Sequence, residues 1–409
     1  MKIAIIGYGP ASIKALEAID RSIDIPPKDR PEVSVISSEK TNAYSPMFLI
    51  KYITGQLIES QLFLLPEEHE YSFPLRRILG KPVIQMVEKN KSVVIEDGQE
   101  IRFDKLLIAS GASPIKPPIR GLAKKGVFFL RRLDEAKKIA QALGQTSDVV
   151  IVGAGAMGME AAIALNHLGK RVKVVELAGQ ILPQTLGPNL AKYAQQKLEA
   201  QGIQFWLGEA VSGIIGRDRA VGVITKGVEI KGDLILLTAG VQPNTDFLNS
   251  TTIKINRGII VNDRMETSIP DVYAAGDVAE SRNPYGDYET VFNWYSAISQ
   301  GWVAGCNLMG QQRSYHFCPM LSALKEADFP VVSIGRKGNG GYERLSHRDE
   351  RRGVLEEIYL RDNFIDCYQA IGVSDKAGLV YSFIKNRKQV DDHKTALVSD
   401  SFNAAQLIS

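Results

Sequence analysis

Cysteine is scarce in this chain of 409 residues, which contains only Cys306, Cys318 and Cys367. These three are far apart and form no CxxC pair, which disfavours a disulfide scaffold, a zinc site and a cysteine-ligated cluster. The five histidines are also scattered, without metal-ligand spacing or a neighbouring nucleophile. The sequence therefore predicts no metal site, no hydrolytic site and a reducing, cytoplasmic setting.

An excess of charge and a long apolar run are also missing. Lys and Arg total 49 and Asp and Glu total 46, and a formal net charge of +3 is too small to indicate a nucleic-acid partner. No stretch approaches the roughly 18 consecutive apolar residues of a transmembrane segment. The apolar run from Ile3 to Ile6 ends at Gly7 and is too short for a secretory signal, so we expect the mature protein to start at Met1.

The composition is that of a globular protein, with 44 % hydrophobic and 23 % charged residues. At roughly 100–200 residues per domain, the length predicts two or three domains. Two segments, 2–39 and 148–176, share one pattern: a β-branched strand, a glycine-rich turn, a helix, and a second strand that ends on or near an acid. This pattern is typical of dinucleotide binding, and its repetition predicts two nucleotide-binding domains with parallel sheets.

The glycines of the two turns occupy equivalent positions. In a dinucleotide site the first glycine allows the tight turn, the second lets the backbone meet the pyrophosphate, and the third position needs a small residue. The first turn has Gly7, Gly9 and a slightly larger Ser12 in these places. The second turn has a complete set, which consists of Gly153, Gly155 and Gly158. We expect the serine to shift the packing without abolishing the first site.

The acids after the two turns differ. Glu176 ends its strand where a carboxylate can accept hydrogen bonds from both ribose hydroxyls, and it would repel a 2′-phosphate. No arginine follows at positions 177–179, so the second site favours NADH over NADPH. In the first segment Glu39 is the only acid near the matching position, and Ser37 and Ser38 come just before it.

The remaining pattern predicts an antiparallel insertion and a third domain. Asp97-Gly98 suits a tight hairpin turn between residues 92–95 and 101–103. Buried strands at 234–237 and 272–275 end where parallel strands present loops to a ligand. From about Ser314 short strands and a helix near 377–386 indicate an α+β domain, and the polar segment 391–409 is either a flexible tail or a docking segment.

Two further segments show which family combines such units. Residues 109–114, ASGASP, look like the ATG segment of the FAD-dependent pyridine-nucleotide oxidoreductases with the glutathione-reductase fold. Residues 267–277, TSIPDVYAAGD, are similar to the second flavin motif of that family. The resemblance covers the chain from Met1 to about Arg387. It implies that Asp277 binds the ribityl chain of FAD.

Within that family the chain resembles one branch. Residues 44–51, YSPMFLIK, and 294–301, WYSAISQG, look like the ferredoxin, rubredoxin and nitrite reductase flavoproteins. Residues 352–355 and 371–378 resemble the small C-terminal domain of the nitrite-reductase and rubredoxin-reductase types. Pro46 departs from this pattern, because relatives often carry an arginine there that contacts FAD.

The resemblance implies an α/β fold with two Rossmann-like, doubly wound, three-layer domains and a small α+β C-terminal domain. The expected boundaries are 1–112 with 245–312 for FAD, 113–244 for NAD, 313–390 for the α+β domain and 391–409 for the tail. Lys51 matches the lysine at flavin N5, where an ammonium favours reduced flavin, and Glu160 matches its carboxylate partner. The helix near Trp294 would point its positive end at the flavin, with Ala297 in contact. Trp294 itself is either an aromatic bridge to the acceptor or a packing residue.

The complete set of candidate binding residues follows from the motifs and the resemblance together. For FAD it comprises Gly7, Gly9, Pro10, Ala11, Ser12, Glu39, Lys51, Ala109, Ser110, Gly111, Gly276, Asp277 and Ala297. For NAD it comprises Gly153, Gly155, Met157, Gly158, Glu176 and Gly240. Lys51 and Glu160 are the candidate catalytic residues.

The position of the cysteines narrows the function. Relatives that reduce disulfides place a redox cysteine beside the flavin in the first domain, and this chain has no cysteine before Cys306. The leading interpretation is an NADH:acceptor oxidoreductase that exchanges electrons, in either direction, with a ferredoxin, a rubredoxin or an iron–sulfur subunit of a larger dehydrogenase. An NADH oxidase that reduces oxygen is the alternative, and a flavin-containing structural or regulatory subunit is a third. A homodimer and a subunit of a larger complex both stay open.

Overall fold

The computed structural model describes residues 1–23, 26, 29–66, 69–337, 341–390, 394 and 396–398. Within these residues the helices are α1 (Pro10–Arg21), α2 (Leu49–Ile53), α3 (Leu133–Leu143), α4 (Ala156–His167), α5 (Pro188–Ala200), α6 (Trp294–Leu308) and α7 (Ala377–Asn386). The strands are β1 (Lys2–Ile6), β2 (Glu32–Ser37), β3 (Leu75–Leu79), β4 (Val83–Val87), β5 (Ser92–Ile95), β6 (Glu100–Arg102), β7 (Lys105–Ile108), β8 (Ala112–Pro114), β9 (Val127–Phe129), β10 (Asp148–Val152), β11 (Arg171–Glu176), β12 (Gln204–Leu207), β13 (Gly213–Ile215), β14 (Gly222–Ile224), β15 (Glu229–Lys231), β16 (Leu234–Leu237), β17 (Val241–Pro243), β18 (Ile259–Ile260), β19 (Val272–Ala274), β20 (Ala279–Arg282), β21 (Tyr288–Glu289), β22 (Leu321–Ala323), β23 (Val331–Gly335), β24 (Glu343–Asp349), β25 (Val354–Arg361) and β26 (Phe364–Ile371).

The chain forms two compact units. The first comprises Met1–Ser45, Glu59–Ser113 and Val241–Cys318. The second comprises Pro46–Ile58, Pro114–Gly240 and the chain from Pro319 onward. The chain therefore leaves the first unit three times: for a short excursion of residues 46–58, for the long segment 114–240 and, finally, at Pro319.

The first unit is built on a five-stranded parallel sheet of order β19-β7-β1-β2-β3. The apolar run of β1 is buried on both faces, which is why it forms a central strand rather than an edge. Helix α1 follows β1 and packs against α6 at close range. A Cβ on Gly301 would lie 2.1 Å from the Ala11 carbonyl oxygen, so only glycine allows this approach. Strands β4, β5 and β6 form the predicted antiparallel insertion.

The second unit contains a five-stranded parallel sheet of order β12-β11-β10-β16-β9. Its first four strands repeat the order and direction of β3, β2, β1 and β7. The fifth strand differs in origin, because β9 precedes β10 in the chain whereas β19 comes long after β1. An antiparallel trio, β13, β14 and β15, stands where the first unit has β4, β5 and β6.

The C-terminal part of the second unit is an antiparallel sheet of order β22-β23-β26-β25-β24 that packs against α7. Its core includes Ile334, Ile358, Tyr368 and Phe383, all buried. The predicted α/β class with two Rossmann-like sheets and a C-terminal α+β part is therefore confirmed. The domain boundaries stay a prediction, and most of the tail 391–409 lies outside the described residues.

Candidate functional site

The first glycine turn joins β1 to α1 in the first unit. Gly7 has a φ of +99°, and a Cβ on it would lie 2.1 Å from the Ala109 carbonyl oxygen. Both observations exclude any side chain at this position. Gly9 lies at the N-cap of α1 and Pro10 begins the helix, a place that tolerates proline because its missing N–H would have no partner inside the helix.

Ser12 is fully buried, and its hydroxyl donates to the Gly7 carbonyl oxygen at 2.8 Å. The serine therefore closes the turn with a hydrogen bond that neither glycine nor alanine could form. Ala11, one residue earlier, is buried against α6, with its carbonyl oxygen facing Gly301. The residue that departs from the usual motif has a structural role of its own.

The acid of the first unit is not placed as its counterpart in the second. The Gly7 amide donates to the Ile36 carbonyl, as the Gly153 amide donates to that of Val175. By this register the residue that matches Glu176 is Ser37, and Glu39 lies two residues beyond. Glu39 is half-buried, and the Tyr44 hydroxyl donates to its carboxylate at 2.7 Å. Glu39 therefore lies near the matching strand end and not at it, as its position in the sequence indicates, and its contact with FAD stays a prediction.

Segment 109–111 is held by a residue that the sequence analysis missed. Asn244 donates through its side chain to the Ser110 carbonyl and through its backbone N–H to the Gly111 carbonyl, at 2.8 and 3.0 Å. The Ser110 hydroxyl in turn donates to the Asn244 carbonyl at 2.8 Å. Ala109, the residue before Ser110, is buried, and its carbonyl oxygen faces Gly7. Because Asn244 is 134 residues away in the chain, no local pattern indicates this contact.

Gly276 and Asp277 lie beside the N-terminal half of α6. The Gly276 amide donates to the buried side-chain oxygen of Gln300 at 2.8 Å. A Cβ on Gly276 would lie 3.2 Å from the Cβ of Ala11 and 3.7 Å from that of Ala297. Asp277 is half-buried at the start of the following turn. The FAD candidates from the second flavin motif, from α1 and from α6 therefore meet in one place.

Helix α6 begins at Trp294, as predicted. Its N-cap Asn293 accepts a hydrogen bond from the Ser296 amide at 2.7 Å. The first turn contains no acidic residue, so the positive end of the helix dipole is not neutralised within the helix. Ala297 is buried and Trp294 is half-buried. Both of the predicted roles of Trp294 therefore stay open.

The second glycine turn joins β10 to α4 in the second unit. Gly153 has a φ of +109°, and a Cβ on Gly158 would lie 2.1 Å from the Gly153 carbonyl oxygen. That carbonyl accepts a hydrogen bond from the Thr238 hydroxyl at 3.0 Å. Thr238 follows β16 directly, and it is a second residue that the sequence analysis missed. Gly155 is the N-cap of α4, and Met157 lies half-buried in the first turn.

Glu176 is the last residue of β11, as predicted. One carboxylate oxygen accepts the Ala154 amide at 2.6 Å and the other accepts the Ala178 amide at 2.8 Å. The carboxylate is thus fixed against the glycine turn, with its remaining lone pairs available to a ligand. Gly240, three residues after β16, has a φ of +102°, and its carbonyl accepts the Ile115 amide.

Lys51 and Glu160 do not form the predicted ion pair. Lys51 lies half-exposed in the last turn of α2, and Glu160 lies half-buried in α4, both in the second unit. The Glu160 carboxylate instead accepts the backbone amides of Lys325 and Glu326, at 2.5 and 3.3 Å. Burial raises the pKa of Glu160, and the nearby Glu326 carboxylate acts in the same direction.

The three cysteines are buried and form no disulfide bond. Burial raises the pKa of the Cys306 thiol, and it raises that of Cys367 to about 12. A thiol with a raised pKa holds little thiolate, which is the reactive form. Among the described residues, no group of three or more His, Cys, Asp or Glu side chains could hold a metal ion. No helix in the described part of the chain is long and apolar enough to cross a membrane.

Comparison with known proteins agrees with this geometry. A family profile described as pyridine nucleotide-disulphide oxidoreductase matches residues 1–301. The chain is 29 % identical over 402 residues to a nitrite reductase [NAD(P)H] of Bacillus subtilis (strain 168), covering 97 % of this chain and 48 % of the relative. It is also 29 % identical to a rubredoxin-NAD(+) reductase of Ectopseudomonas oleovorans, over 88 % of this chain and 96 % of the relative.

A crystal structure of a ferredoxin reductase from Rhodopseudomonas palustris superimposes with a TM-score of 0.90 at 20 % identity and covers 100 % of both chains. At that identity the likeness shows the fold alone. The profile match over residues 1–301 includes both glycine turns and the second flavin motif. The chain therefore belongs to the pyridine nucleotide-disulphide oxidoreductase family, whose members are oxidoreductases that use FAD and NAD(H). The resemblance noted in the sequence is confirmed, although the chain spans only about half the length of the nitrite reductase.

Both turns fit a dinucleotide. Among the described residues, a Cβ built on Gly9 or on Gly155 meets nothing within 4 Å, so each second glycine faces open space at a helix N-terminus. Neither first turn, of α1 or of α4, contains an acidic residue that would repel a pyrophosphate. In the first unit the buried polar atoms Ser45 Oγ and Asn293 Nδ2 have no protein partner in the described chain, which suits a polar ligand.

Proposed function

We propose that this chain is an FAD-dependent NADH:acceptor oxidoreductase whose acceptor is a one-electron protein. The observation that carries the proposal is the pair of glycine turns with one geometry and different acids. Only the second turn has a carboxylate, that of Glu176, fixed at the strand end where a ribose would lie. One chain thus offers two different dinucleotide sites, and the second is suited to NADH.

The first unit would hold FAD. Gly7, Gly9 and the N-terminus of α1 would face the pyrophosphate, Asp277 the ribityl chain, and Ala297 at the start of α6 the flavin ring. FAD held there would supply the chemistry that converts the two-electron hydride of NADH into single electrons for the acceptor. The positive end of α6 would stabilise negative charge on the ring, and the Lys51 ammonium would favour the electron-rich form.

The second unit would hold NADH. Gly153, Gly155 and Gly158 form its pyrophosphate turn, and Glu176 would accept hydrogen bonds from the ribose hydroxyls. A 2′-phosphate would lie against the same carboxylate and be repelled by it. The two oxygens of Glu176 accept hydrogen bonds from two backbone amides, which hold the carboxylate in place. Reorienting Glu176 to admit NADPH would cost these hydrogen bonds, about 1.5–3 kcal/mol each for a charged acceptor.

The acceptor is proposed to be another protein, because the chain offers no redox thiol. All three cysteines are buried, and the pKa values of Cys306 and Cys367 are raised. The similar proteins reported above include a rubredoxin-NAD(+) reductase and a ferredoxin reductase. A rubredoxin, a ferredoxin or an iron–sulfur subunit of a larger dehydrogenase is therefore the proposed partner. Assembly as a homodimer or in a larger complex, a cytoplasmic setting and the domain boundaries given above belong to the same proposal.

The experiment must distinguish a protein acceptor from oxygen. NADH oxidation by the FAD-loaded chain would be followed without oxygen in the presence of a rubredoxin or a ferredoxin, and then in air without either protein. We expect rapid anaerobic reduction of one carrier and slow turnover in air. Fast turnover in air with no reduction of either carrier would contradict the proposal and identify an NADH oxidase. If neither acceptor were reduced although NADH bleached the flavin, the carrier assignment would be overturned.

A further inference from the structure

The loop between β11 and α5, residues 177–187, is here called the strap. In its middle the Leu182 amide donates to the Ala154 carbonyl oxygen at 2.8 Å. Ala154 is the fully buried middle residue of the second glycine turn, and its own amide donates to the Glu176 carboxylate, just before the strap. The turn is therefore held through both backbone groups of Ala154, by the residue that precedes the strap and by the strap itself.

The hydrogen bond from the strap fixes the peptide group between Ala154 and Gly155. Because a trans peptide is planar, its N–H points away from its C=O, and a carbonyl that is held in place also holds the amide that follows it. That amide belongs to Gly155, the N-cap of α4. Amides at a helix N-terminus are the groups that bind phosphate. Leu182 therefore sets the direction of an amide on the turn that would face the pyrophosphate of NADH.

Leu182 makes this contact in an uncommon backbone conformation. Its φ of +49° lies in the left-handed region, which is costly for a leucine, and its side chain is buried. The Leu182 carbonyl accepts the amides of Thr185 and Leu186, both at 2.9 Å, so residues 182–186 form one closed turn. A strained residue of this kind persists only where its surroundings hold it. A contact that holds Thr185 therefore also holds Leu182.

The C-terminal antiparallel sheet supplies that contact. The Thr185 carbonyl accepts two hydrogen bonds of 2.8 Å, from the Ser333 hydroxyl and from the side-chain amide of Gln369. The side-chain oxygen of Gln369 accepts the Gly187 amide at 2.7 Å. Gln369 and Ser333 are only 5 % and 4 % exposed, so these hydrogen bonds are sheltered from water. One glutamine thus pairs with the backbone of the strap on both sides of residue 186.

The strap lies directly on the sheet at Gly187. A Cβ on Gly187 would lie 2.9 Å from the Tyr359 hydroxyl oxygen of β25 and 3.3 Å from the Gln369 side-chain oxygen of β26. These separations leave no space for a side chain between the strap and the sheet. The close approach at Gly187 therefore brings Gln369 within reach of the strap backbone.

We propose that Gln369 is a positioning residue for the NADH site, which it holds through the strap and the peptide group between Ala154 and Gly155. The inference rests on the proposed function, in which NADH binds at the second glycine turn. It gives the C-terminal sheet a part in nucleotide binding, although none of the candidate binding residues lies in that sheet. Ser333 assists Gln369, because both donate to the same Thr185 carbonyl.

The test compares Gln369→Met, Ser333→Ala and the double variant with the unaltered protein. Methionine is unbranched and similar in size to glutamine but has no amide group. Asn189→Ala is the matched control, because it removes a hydrogen bond of 3.0 Å between α5 and Glu357 of the same sheet and leaves the contacts of the strap intact. Each protein is loaded with FAD. The rate of flavin reduction is then measured without oxygen over a range of NADH concentrations, which gives the dissociation constant of NADH and the limiting rate.

We expect Gln369→Met to raise the dissociation constant of NADH about three- to tenfold and to leave the limiting rate within about twofold, since the pyrophosphate is not a reacting group. Ser333→Ala should raise the dissociation constant about two- to threefold, and it keeps the test decisive if Gln369→Met does not fold. The double variant should exceed the product of the two changes, because the Thr185 carbonyl then loses both donors. Asn189→Ala should change neither quantity. An unchanged dissociation constant in the folded variants, or an equal rise in Asn189→Ala, would overturn the proposal.

Amide hydrogen exchange, measured before any NADH is added, separates this proposal from the proposed function. Exchange of the Leu182 amide should be faster in Gln369→Met than in the unaltered chain, and unchanged in Asn189→Ala. If NADH did not reduce the flavin of the unaltered chain, the proposed function would be wrong, and faster exchange at Leu182 would still support the link between the sheet and the turn. Unchanged exchange there would contradict that link whatever the activity.

Discussion

In each glycine turn a side-chain hydroxyl donates to the carbonyl of the first glycine, but the hydroxyl comes from a different element. In the first turn it comes from the helix, where Ser12 donates to the Gly7 carbonyl at 2.8 Å. In the second it comes from the neighbouring strand end, where Thr238 donates to the Gly153 carbonyl at 3.0 Å. The first turn has Ala109 at the place of Thr238, and the second has Gly158 at the place of Ser12.

The difference shows that the third motif position and the end of the adjacent strand form a pair. The first glycine carbonyl is partly buried in both turns and accepts a hydroxyl in each, and an acceptor that is buried without a donor is costly. Where the strand supplies the donor, the helix can approach until no Cβ fits at Gly158. In the first turn the residue after the adjacent strand is Ala109, which has no hydroxyl, so Ser12 of α1 supplies the donor. A motif with serine in third place is therefore a complete turn and not a degraded one.

Gly158→Ser gives the second turn the third residue of the first turn, and we expect it to have the largest effect on stability and on NADH binding. Its Cβ would lie 2.1 Å from the Gly153 carbonyl oxygen and its surroundings already include the Thr238 hydroxyl at 2.7 Å. We expect a loss of about 3 kcal/mol in the free energy of unfolding, at the upper end for overpacking, with loss of NADH binding. Urea unfolding and NADH titration measure both. Gly378→Ala is the control, because its Cβ meets nothing within 4 Å in the described chain and it lies outside the glycine turn. An equal loss there would contradict the steric argument.

Glu176→Ser gives the second turn the residue that the register places in the first, Ser37. The shorter side chain cannot accept from the ribose hydroxyls as a carboxylate does, and it removes the charge that repels a 2′-phosphate. We expect the KM for NADH to rise about 10- to 100-fold, the value of one charge-assisted hydrogen bond, while that for NADPH falls or stays level. Steady-state kinetics with both nucleotides measure this, with the exposed Glu229→Gln as control. An unchanged NADH preference would disprove the role of Glu176.

Ser12→Ala and Thr238→Val should have similar, smaller effects on different units. Each removes the donor to the first glycine carbonyl, and each should lower the free energy of unfolding by about 1–2 kcal/mol. Ser12→Ala should weaken FAD retention with little effect on NADH affinity, and Thr238→Val the reverse. Fluorescence of released flavin and NADH titration distinguish them. If both variants changed the same affinity, the two hydroxyls would not serve separate turns.

The smallest effect concerns the first residue of each central strand. Asp148 stands opposite Arg171, whereas Lys2 stands opposite Glu32 with the charges reversed. The hydrogen bonds from Arg171 and Lys173 lower the pKa of Asp148 to about 2. A lowered native pKa stabilises the fold above about pH 4, and this stability is lost as the pH falls towards 2. Between pH 5 and pH 3 the unfolding temperature should therefore fall less in Asp148→Asn than in the unaltered chain. An identical fall in both proteins would show that the Asp148–Arg171 pair does not contribute to stability.

Much of the fold follows from local pattern. The β-branched runs predicted β1 and β10, a buried apolar run predicted β16, and a helix was expected near 377–386, where α7 lies. These elements can be predicted because the spacing of buried side chains along the sequence follows the periodicity of the strand or helix. The excursion of residues 46–58 into the second unit was not readable, because it depends on packing against α3 and α4, which are distant in the chain.

The sequence predicted those parts of the candidate site in which the backbone conformation requires glycine. It did not predict the contacts between residues that are distant in the chain. Gly7 and Gly153 were identified because positive φ and close approach leave no alternative. Asn244 holds Ser110 across 134 residues, and Glu160 binds an amide 165 residues away. A resemblance that pairs Lys51 with Glu160 by position cannot foresee that a loop takes the carboxylate.

In the proposed function FAD binds at the first turn and NADH, the hydride donor, binds at the second. An anaerobic visible titration of the FAD-loaded protein with NADH, and then with NADPH, tests it most directly. We expect NADH to bleach the flavin absorbance at close to one equivalent and NADPH to do so only in large excess. Flavin that stays oxidised with both nucleotides would disprove this assignment, because the second turn would then not serve as an electron-donor site.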